Sequence, residues 1–156
     1  MLTIDIPGWK VLNLSTLVFD YNGTLALDGR ISVSTREYIR ALAKKFTIHI
    51  LTSDTFGSVA QECADLPVTI KKLESEKHTQ EKAEYLKHLG TGKIVAVGNG
   101  ANDKLMFETA DLSIAIIGPE GCSPETLLRA DIAVKKIEDA FELLFNPKRL
   151  IATLRR

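Results

Sequence analysis

Short apolar runs that end in polar residues alternate with longer stretches in which apolar residues recur every three or four positions. The runs read as buried strands and the stretches as amphipathic helices. LTIDI, residues 2–6, alternates apolar and polar like a half-buried strand, and Pro7-Gly8 reads as the turn into KVLNL. LSTLVFD (14–20), FTIHILT (46–52) and KIVAVG (93–98) read as buried strands, with shorter ones at 67–71, 112–117 and 132–134. Residues 25–33 carry Asp28-Gly29, a strong hairpin-turn signal. Ser34 predicts a helix cap, Glu37 completes a capping box, and Tyr38, Ile39, Leu42 and Ala43 fit one helical face. Further helices are predicted at 58–65, 76–89 (closed by Gly90), 101–109, 124–129 and 137–145. A last helix starts at Asn146-Pro147, with Asn146 as cap and Pro147 at the first helical position.

Strands that are apolar throughout and alternate with helices predict an α/β fold: a three-layer α/β/α, Rossmann-like parallel sheet. The 156 residues predict one domain, with an N-terminal hairpin over 1–13 and a core over 14–156. Ligands of such sheets bind at the carboxyl ends of the strands. The residues that end LVFD, IHILT and IVAVG are therefore the ones to examine.

Composition narrows the partners. The chain has 20 basic and 20 acidic residues, which argues against a nucleic-acid binder relying on a broad cationic face. Lys148, Arg149, Arg155 and Arg156 make the C-terminus locally basic, and this reads as a solvated tail. Cys63 and Cys122 have no metal-ligand spacing and suggest a reducing cytoplasm. No run approaches the roughly 18 apolar residues of a spanning helix, and no leader pattern opens the chain. A soluble cytoplasmic protein without a membrane partner is the expectation. His49, His78 and His88 are scattered and form no ligand set; His49 reads as a packed strand residue, and Trp9 as a hairpin anchor. Gly98-Asn99-Gly100 lacks a third glycine and falls late in the chain, which speaks against a dinucleotide fingerprint.

The predicted strand ends carry a set of groups suited to phosphoryl chemistry. Asp20 is a carboxylate nucleophile on a strand end, and the amides of Asn22-Gly23-Thr24 could form an anion-binding nest. Thr52 offers a hydroxyl donor beside Ser53. Lys82 can set a cation against the same oxygens, with Lys77 as the competing candidate. Asp103 and the Asn99 carbonyl are hard oxygen ligands suited to Mg2+. Nucleophile, metal and charge-neutralising donors are the parts that in-line phosphoryl transfer needs.

These residues resemble the motifs of the haloacid dehalogenase (HAD) superfamily, and in particular the phosphorylation domain of P-type ATPases. DYNGTL is similar to the first motif DxDGT[LV], Thr52-Ser53-Asp54 to the TGD of the second, and GNGANDKLM to the GDGxNDxxM hinge. Lys82 with Leu86 and Leu89 matches the spacing of the third. The resemblance covers residues 14–117 in order, without the ATPases' nucleotide-binding insertion or membrane helices. It implies that Asp20 accepts the phosphoryl group as an aspartyl phosphate. It implies that Gly23, Thr24, Thr52, Ser53 and Lys82 bind the phosphoryl oxygens. It also implies that Asp20, the Asn22 backbone carbonyl, Asn99 and Asp103 hold Mg2+.

Two positions depart from the pattern. Asn22 stands where HAD phosphatases carry the Asp that protonates the leaving group, so hydrolysis is expected to be slow. Asn99 stands where the hinge carries Asp, so metal affinity is expected to be weaker, with Asp103 bearing more of it. The spans 20–52 and 52–82 leave no room for a cap domain, and a homo-oligomer or a macromolecular partner is expected to cover the site. The sequence thus points to a Mg2+-dependent phosphatase acting on a phosphorylated small molecule or macromolecule. The alternative is a catalytically weakened phosphate-binding or regulatory module of the same fold.

Overall fold

In a computed structural model, which describes residues 1–54 and 57–156, the alternation of strands and helices becomes a six-stranded, wholly parallel sheet beside a small antiparallel hairpin. The hairpin pairs β1 (Leu2–Asp5) with β2 (Val11–Leu14). The chain then runs through β3 (Thr16–Asp20), α1 (Val33–Leu42), β4 (Thr47–Thr52), α2 (Ser58–Glu62), β5 (Thr69–Lys72), α3 (His78–Leu89) and β6 (Ile94–Gly98). A 3-10 turn (Ala101–Asp103) leads into α4 (Lys104–Thr109), followed by β7 (Leu112–Ile116), α5 (Pro124–Leu127), β8 (Ile132–Val134), α6 (Ile137–Phe145) and α7 (Pro147–Leu154). The order across the sheet is β5-β4-β3-β6-β7-β8. This is the three-layer arrangement that the sequence pattern predicts.

The sheet is buried on both faces, and side-chain alternation decides which residue goes where. Leu17 and Phe19 of β3 join Val95, Val97, Ile114 and Ile116 in the larger core, under Ile39 and Leu42 of α1 and Phe141 and Leu144 of α6. Phe141 meets Phe19 edge-on at 5.9 Å and stacks on Tyr38 at 5.1 Å. Val18, Leu51, Ala96 and Ala115 face the other way, against Leu86 of α3 and Met106 and Phe107 of α4. Each of the larger aliphatic and aromatic side chains among them contributes about 1.5–3 kcal/mol by leaving water. His49 shares this second face, as a packed residue, with its Nδ1 3.0 Å from the Tyr85 hydroxyl. Among the described residues no helix is long and apolar enough to cross a membrane.

The structure corrects several local expectations. The run 14–20 is not one strand: Leu14 ends β2, and the amides of Ser15 and Thr16 both donate to the Lys93 carbonyl, at 3.0 and 3.1 Å. The chain changes sheets there. Asp28 and Gly29 do adopt left-handed backbone, with φ of 51° and 77°. Leu27 and Arg30 exchange two 3.1 Å bonds across them, but the pairing stops at that one bridge. The basic C-terminus is no free tail: the Arg156 amide donates to the Pro7 carbonyl at 2.9 Å, and its guanidinium lies 5.4 Å over the Trp9 ring. Asn146 does hold the N-cap position of α7, with Pro147 first in the helix, but its side chain makes no cap bond, and its Nδ2 reaches back to the Glu142 carbonyl at 3.2 Å.

The cap of α1 is Ser32, not Ser34. Ser32 is extended (ψ 158°), and its hydroxyl accepts the Thr35 amide at 3.1 Å, whereas Ser34 is an exposed residue inside the first turn. Ser32→Ala is therefore expected to cost about 1 kcal/mol, which lowers the melting temperature by roughly 2–4 °C in a chain of this size. Ser34→Ala should leave it within a degree or so. Paired thermal melts check the assignment.

Candidate active site

Asp20 ends the central strand. Asp20 stands level with Leu51 and Phe19 with Val97, so Asp20, Thr52 and Gly98 emerge at one edge of the sheet. Beyond Asp20 the chain folds back sharply. The Ala26 amide donates to the Tyr21 carbonyl at 3.0 Å, and Gly23 takes a φ of 74°. The buried Tyr21 side chain ties the turn down through its hydroxyl, 2.8 Å from the Gly29 carbonyl. The Gly23 and Thr24 amides, expected to form an anion nest, are used within the turn itself, on the Ala26 carbonyl at 2.9 Å and the Tyr21 carbonyl at 3.3 Å.

Lys82 enters from α3 and fills the centre of the site. Its side chain is only 2% exposed. Its ammonium donates to Asp20 Oδ1 at 2.7 Å, Asp103 Oδ1 at 2.7 Å and Asn102 Oδ1 at 3.0 Å. Lys77, the competing candidate, lies exposed where α3 begins. Asp103 is wholly buried, and its second oxygen accepts the amides of Asn99 at 3.0 Å and Gly100 at 2.9 Å. Gly98 permits this approach, because a Cβ there would collide with the Asp103 carboxylate. Asp103 thus stands behind the reacting edge, with both oxygens engaged inside the protein.

The remaining expected residues divide. Thr24 donates to Asn99 Oδ1 at 3.3 Å and approaches Asp20 Oδ2 at 3.5 Å. Thr52 is buried at the end of β4, and its hydroxyl oxygen accepts the Asp54 amide at 3.1 Å, leaving its hydrogen to donate. Asp54 itself caps α2, accepting the Val59 amide at 3.0 Å. Ser53 and Asn22 are exposed at the rim. Two participants escaped the sequence reading. Asn102 holds Lys82, and its place in the Asn-Asp pair of the hinge motif is the signal that could have found it. The Gly118–Gly121 turn, bound by Asn99, carries no such signal.

Charge decides what this cluster can do. Two carboxylates and one ammonium leave one negative charge in excess. Burial raises the pKa of Asp20, Asp103 adds to the rise, and Lys82 opposes it; the outcome is a value pushed up from 3.8 to about 7. For Lys82, burial pulls downward, but Asp20 and Asp103 outweigh it and its pKa is raised. Among the described residues no three His, Cys, Asp or Glu side chains gather as a metal cluster. A small divalent cation nevertheless fits the oxygens on offer. Asp20 Oδ2, on the side away from Lys82, and Asn99 Oδ1 are linked through the Thr24 hydroxyl, and the excess charge is the one a cation would neutralise. A cavity of about 230 Å³ borders Gly23 and Thr24, but it includes neither Asp20, Thr52 nor Lys82.

The raised Asp20 pKa predicts a pH signature in metal-free buffer. Between about pH 4 and 7 the folded protein keeps a proton that the unfolded chain has released. Folded stability is therefore lost as pH rises through that window, and an amide at position 20 escapes the loss. The melting temperature of Asp20→Asn relative to wild type should move in the variant's favour between pH 5 and pH 8. The size is on the order of a few kcal/mol. Scanning calorimetry of both proteins at the two pH values reads it directly.

No family model matches the chain. It is 46% identical over 91 residues to the uncharacterized protein MJ0073 of Methanocaldococcus jannaschii, an alignment that covers 98% of that protein and 54% of this chain. Similar solved structures include the cobalt-bound deoxy-D-mannose-octulosonate 8-phosphate phosphatase of Haemophilus influenzae. It has a TM-score of 0.71 at 14% identity and covers 86% of this chain and 88% of that one. The 3-deoxy-D-manno-octulosonate 8-phosphate phosphatase of Moraxella catarrhalis, in complex with magnesium, phosphate and KDO, has a TM-score of 0.69 at 18% identity, covering 91% and 94%. Phosphoserine phosphatase of T. onnurineus has a TM-score of 0.65 at 18% identity, covering 86% and 96%. The chain belongs to one family with MJ0073 of Methanocaldococcus jannaschii, and its fold is that of the HAD hydrolases.

Proposed function

We propose that this protein is a Mg2+-dependent phosphatase that works through an aspartyl phosphate on Asp20 and turns over slowly. The observation that carries the reading is the Lys82 ammonium 2.7 Å from both Asp20 and Asp103 at the carboxyl edge of the central strand. It fixes one oxygen of Asp20 and leaves Oδ2 turned toward Thr24 and Asn99. Oδ2 then attacks phosphorus, the bond from phosphorus to the leaving oxygen breaks, and the departing alkoxide takes a proton from water. Lys82 and the Thr52 hydroxyl face the charge that builds on the phosphoryl oxygens. Water next attacks phosphorus, the bond from phosphorus to Asp20 Oδ2 breaks to give back the carboxylate, and the proton the water loses passes to solvent, making good the one the alkoxide took.

Asp20, the Asn22 carbonyl and the Asn99 side-chain oxygen would hold Mg2+, with Asp103 supporting from behind through Lys82 and the hinge amides. Bound there, the cation would offset the excess negative charge and polarise the phosphoryl group. Asn22 sits at the exposed rim with an amide that can neither give nor take a proton. Both half-reactions therefore depend on solvent for proton transfer, and leaving groups that need no proton should react best. The magnesium, cobalt and phosphate bound by the similar phosphatases support this reading.

Turnover of p-nitrophenyl phosphate should require Mg2+ and vanish in Asp20→Asn. Asn22→Asp restores an acid at the rim and should raise turnover of an alkyl phosphate by about 10²-fold, the lower end of what such proton transfer contributes. A wild type that is inactive with every divalent metal, and gains no Mg2+-dependent stability from beryllofluoride, would favour the non-catalytic phosphate-binding module instead.

A further inference from the structure

We propose that Asn99 is a positioning residue that acts through its side-chain nitrogen, clasping the Gly118–Gly121 turn against the loop that follows the nucleophile. The proposal goes beyond the phosphatase reading but rests on it for the reaction that is positioned. In the family pattern this position carries a carboxylate, and its amide looks like a weakened metal ligand. The contacts around Asn99 give the nitrogen of that amide a task of its own, beside the oxygen that would face the metal.

Asn99 leaves the end of β6 and is 8% exposed. Its Nδ2 lies 3.1 Å from the Gly121 carbonyl, which can only accept, so the group facing it must be the NH2. Its Oδ1 faces the other way and accepts the Thr24 hydroxyl at 3.3 Å. Each half of the amide thus holds a different segment. The Asn99 main-chain carbonyl accepts the Ser123 amide at 2.8 Å, and the Thr126 hydroxyl donates to the Gly100 carbonyl at 2.7 Å, so the same stretch is fastened from below as well. The turn closes on itself through the Gly121 amide, 2.9 Å from the Gly118 carbonyl.

The nucleophile loop is shaped to the amide. Gly23 adopts a φ of 74°, and a Cβ there would stand 2.5 Å from Asn99 Nδ2. The loop can close over Asn99 only because residue 23 has no side chain. A carboxylate at 99 would keep an acceptor toward Thr24. It would also set an oxygen against the Gly121 carbonyl, two acceptors opposed in a nearly dry site, and the turn would lose its tie. Asp, which metal binding alone would favour, is the wrong residue for this architecture.

The two views predict opposite responses to Asn99→Asp. Hydrogen exchange on the metal-free protein should show the Gly121 and Ser123 amides losing protection by about tenfold or more in both Asn99→Asp and Asn99→Ala, the scale of one lost buried donor. Thr24→Val leaves the nitrogen's bond in place and should retain that protection. In p-nitrophenyl phosphate assays at saturating Mg2+, both Asn99 variants should lose kcat by about tenfold or more, with KM changed by no more than about twofold, as misplaced reacting groups do. Wild-type protection in Asn99→Asp would overturn the proposal, and so would a kcat/KM that rises with Asp and falls with Ala. Should Asn99→Asp fail to fold, Asn99→Ala and Thr24→Val carry the exchange test. An inactive wild type would sink the phosphatase reading while the exchange pattern still decides the clasp.

Discussion

A single ammonium group, buried between two carboxylates, organises this molecule. Lys82 comes from α3, Asp20 from the central strand and Asp103 from the turn after β6, and all three meet only when α3 and α4 are packed on their face of the sheet. None of the three could be buried alone. A desolvated charge without a partner costs several kcal/mol, so each is tolerated because the others are present. The arrangement is therefore a constraint on the whole fold as much as a feature of one site. If Asp103 were removed, the ammonium would lose a partner and the Asn99 and Gly100 amides would lose their acceptor together.

The parallel sheet explains why these groups share one edge. In a parallel sheet every strand delivers its last residue to the same side, and the order β4-β3-β6 places the first motif between the second and the hinge. Thr52, Asp20 and Gly98 end neighbouring strands without any long loop having to be ordered. Asp20 is thus carried by a central strand that is paired on both sides. The turn that follows it is held by the buried Tyr21 ring and by its own backbone bonds. The Gly23 and Thr24 amides are consequently occupied within the turn, and the edge beside it is lined by polar side chains, Lys82 and Thr52 among them.

The two asparagines that depart from the HAD motifs that the sequence resembles differ physically. Asn22 is exposed at the rim, where exchanging an acid for an amide alters little of the packing. Asn99 is enclosed, with both ends of its amide committed to different loops. A sequence comparison scores them alike as lost carboxylates. Their surroundings leave one open to solvent and tie the other between two loops.

How much of this was legible in the sequence follows from what is local and what is not. The α/β class, nearly every element and the residues Asp20, Thr52, Lys82, Asn99 and Asp103 were readable, because apolar runs that end in polar residues mark parallel strands and their reactive ends. Ser32 was missed as a cap because Ser32 and Ser34 are both plausible from composition, and only the backbone angle at the helix start separates them. The break at Ser15 was passed over because Ser15-Thr16 lies between apolar residues on both sides and carries no Gly or Pro, while the change of sheet goes with bonds to Lys93, far along the chain. Motif spacing favoured Lys82 over Lys77, and the structure turns Lys82 inward and leaves Lys77 in solvent. The tie from Asn99 to Gly121 likewise joins residues with no local relation. The sequence by itself determined the periodicity, the turn chemistry and the kinds of reactive group. Tertiary structure alone decided which charges face each other and which amides are already spent, because those are matters of distance between segments that only packing brings together.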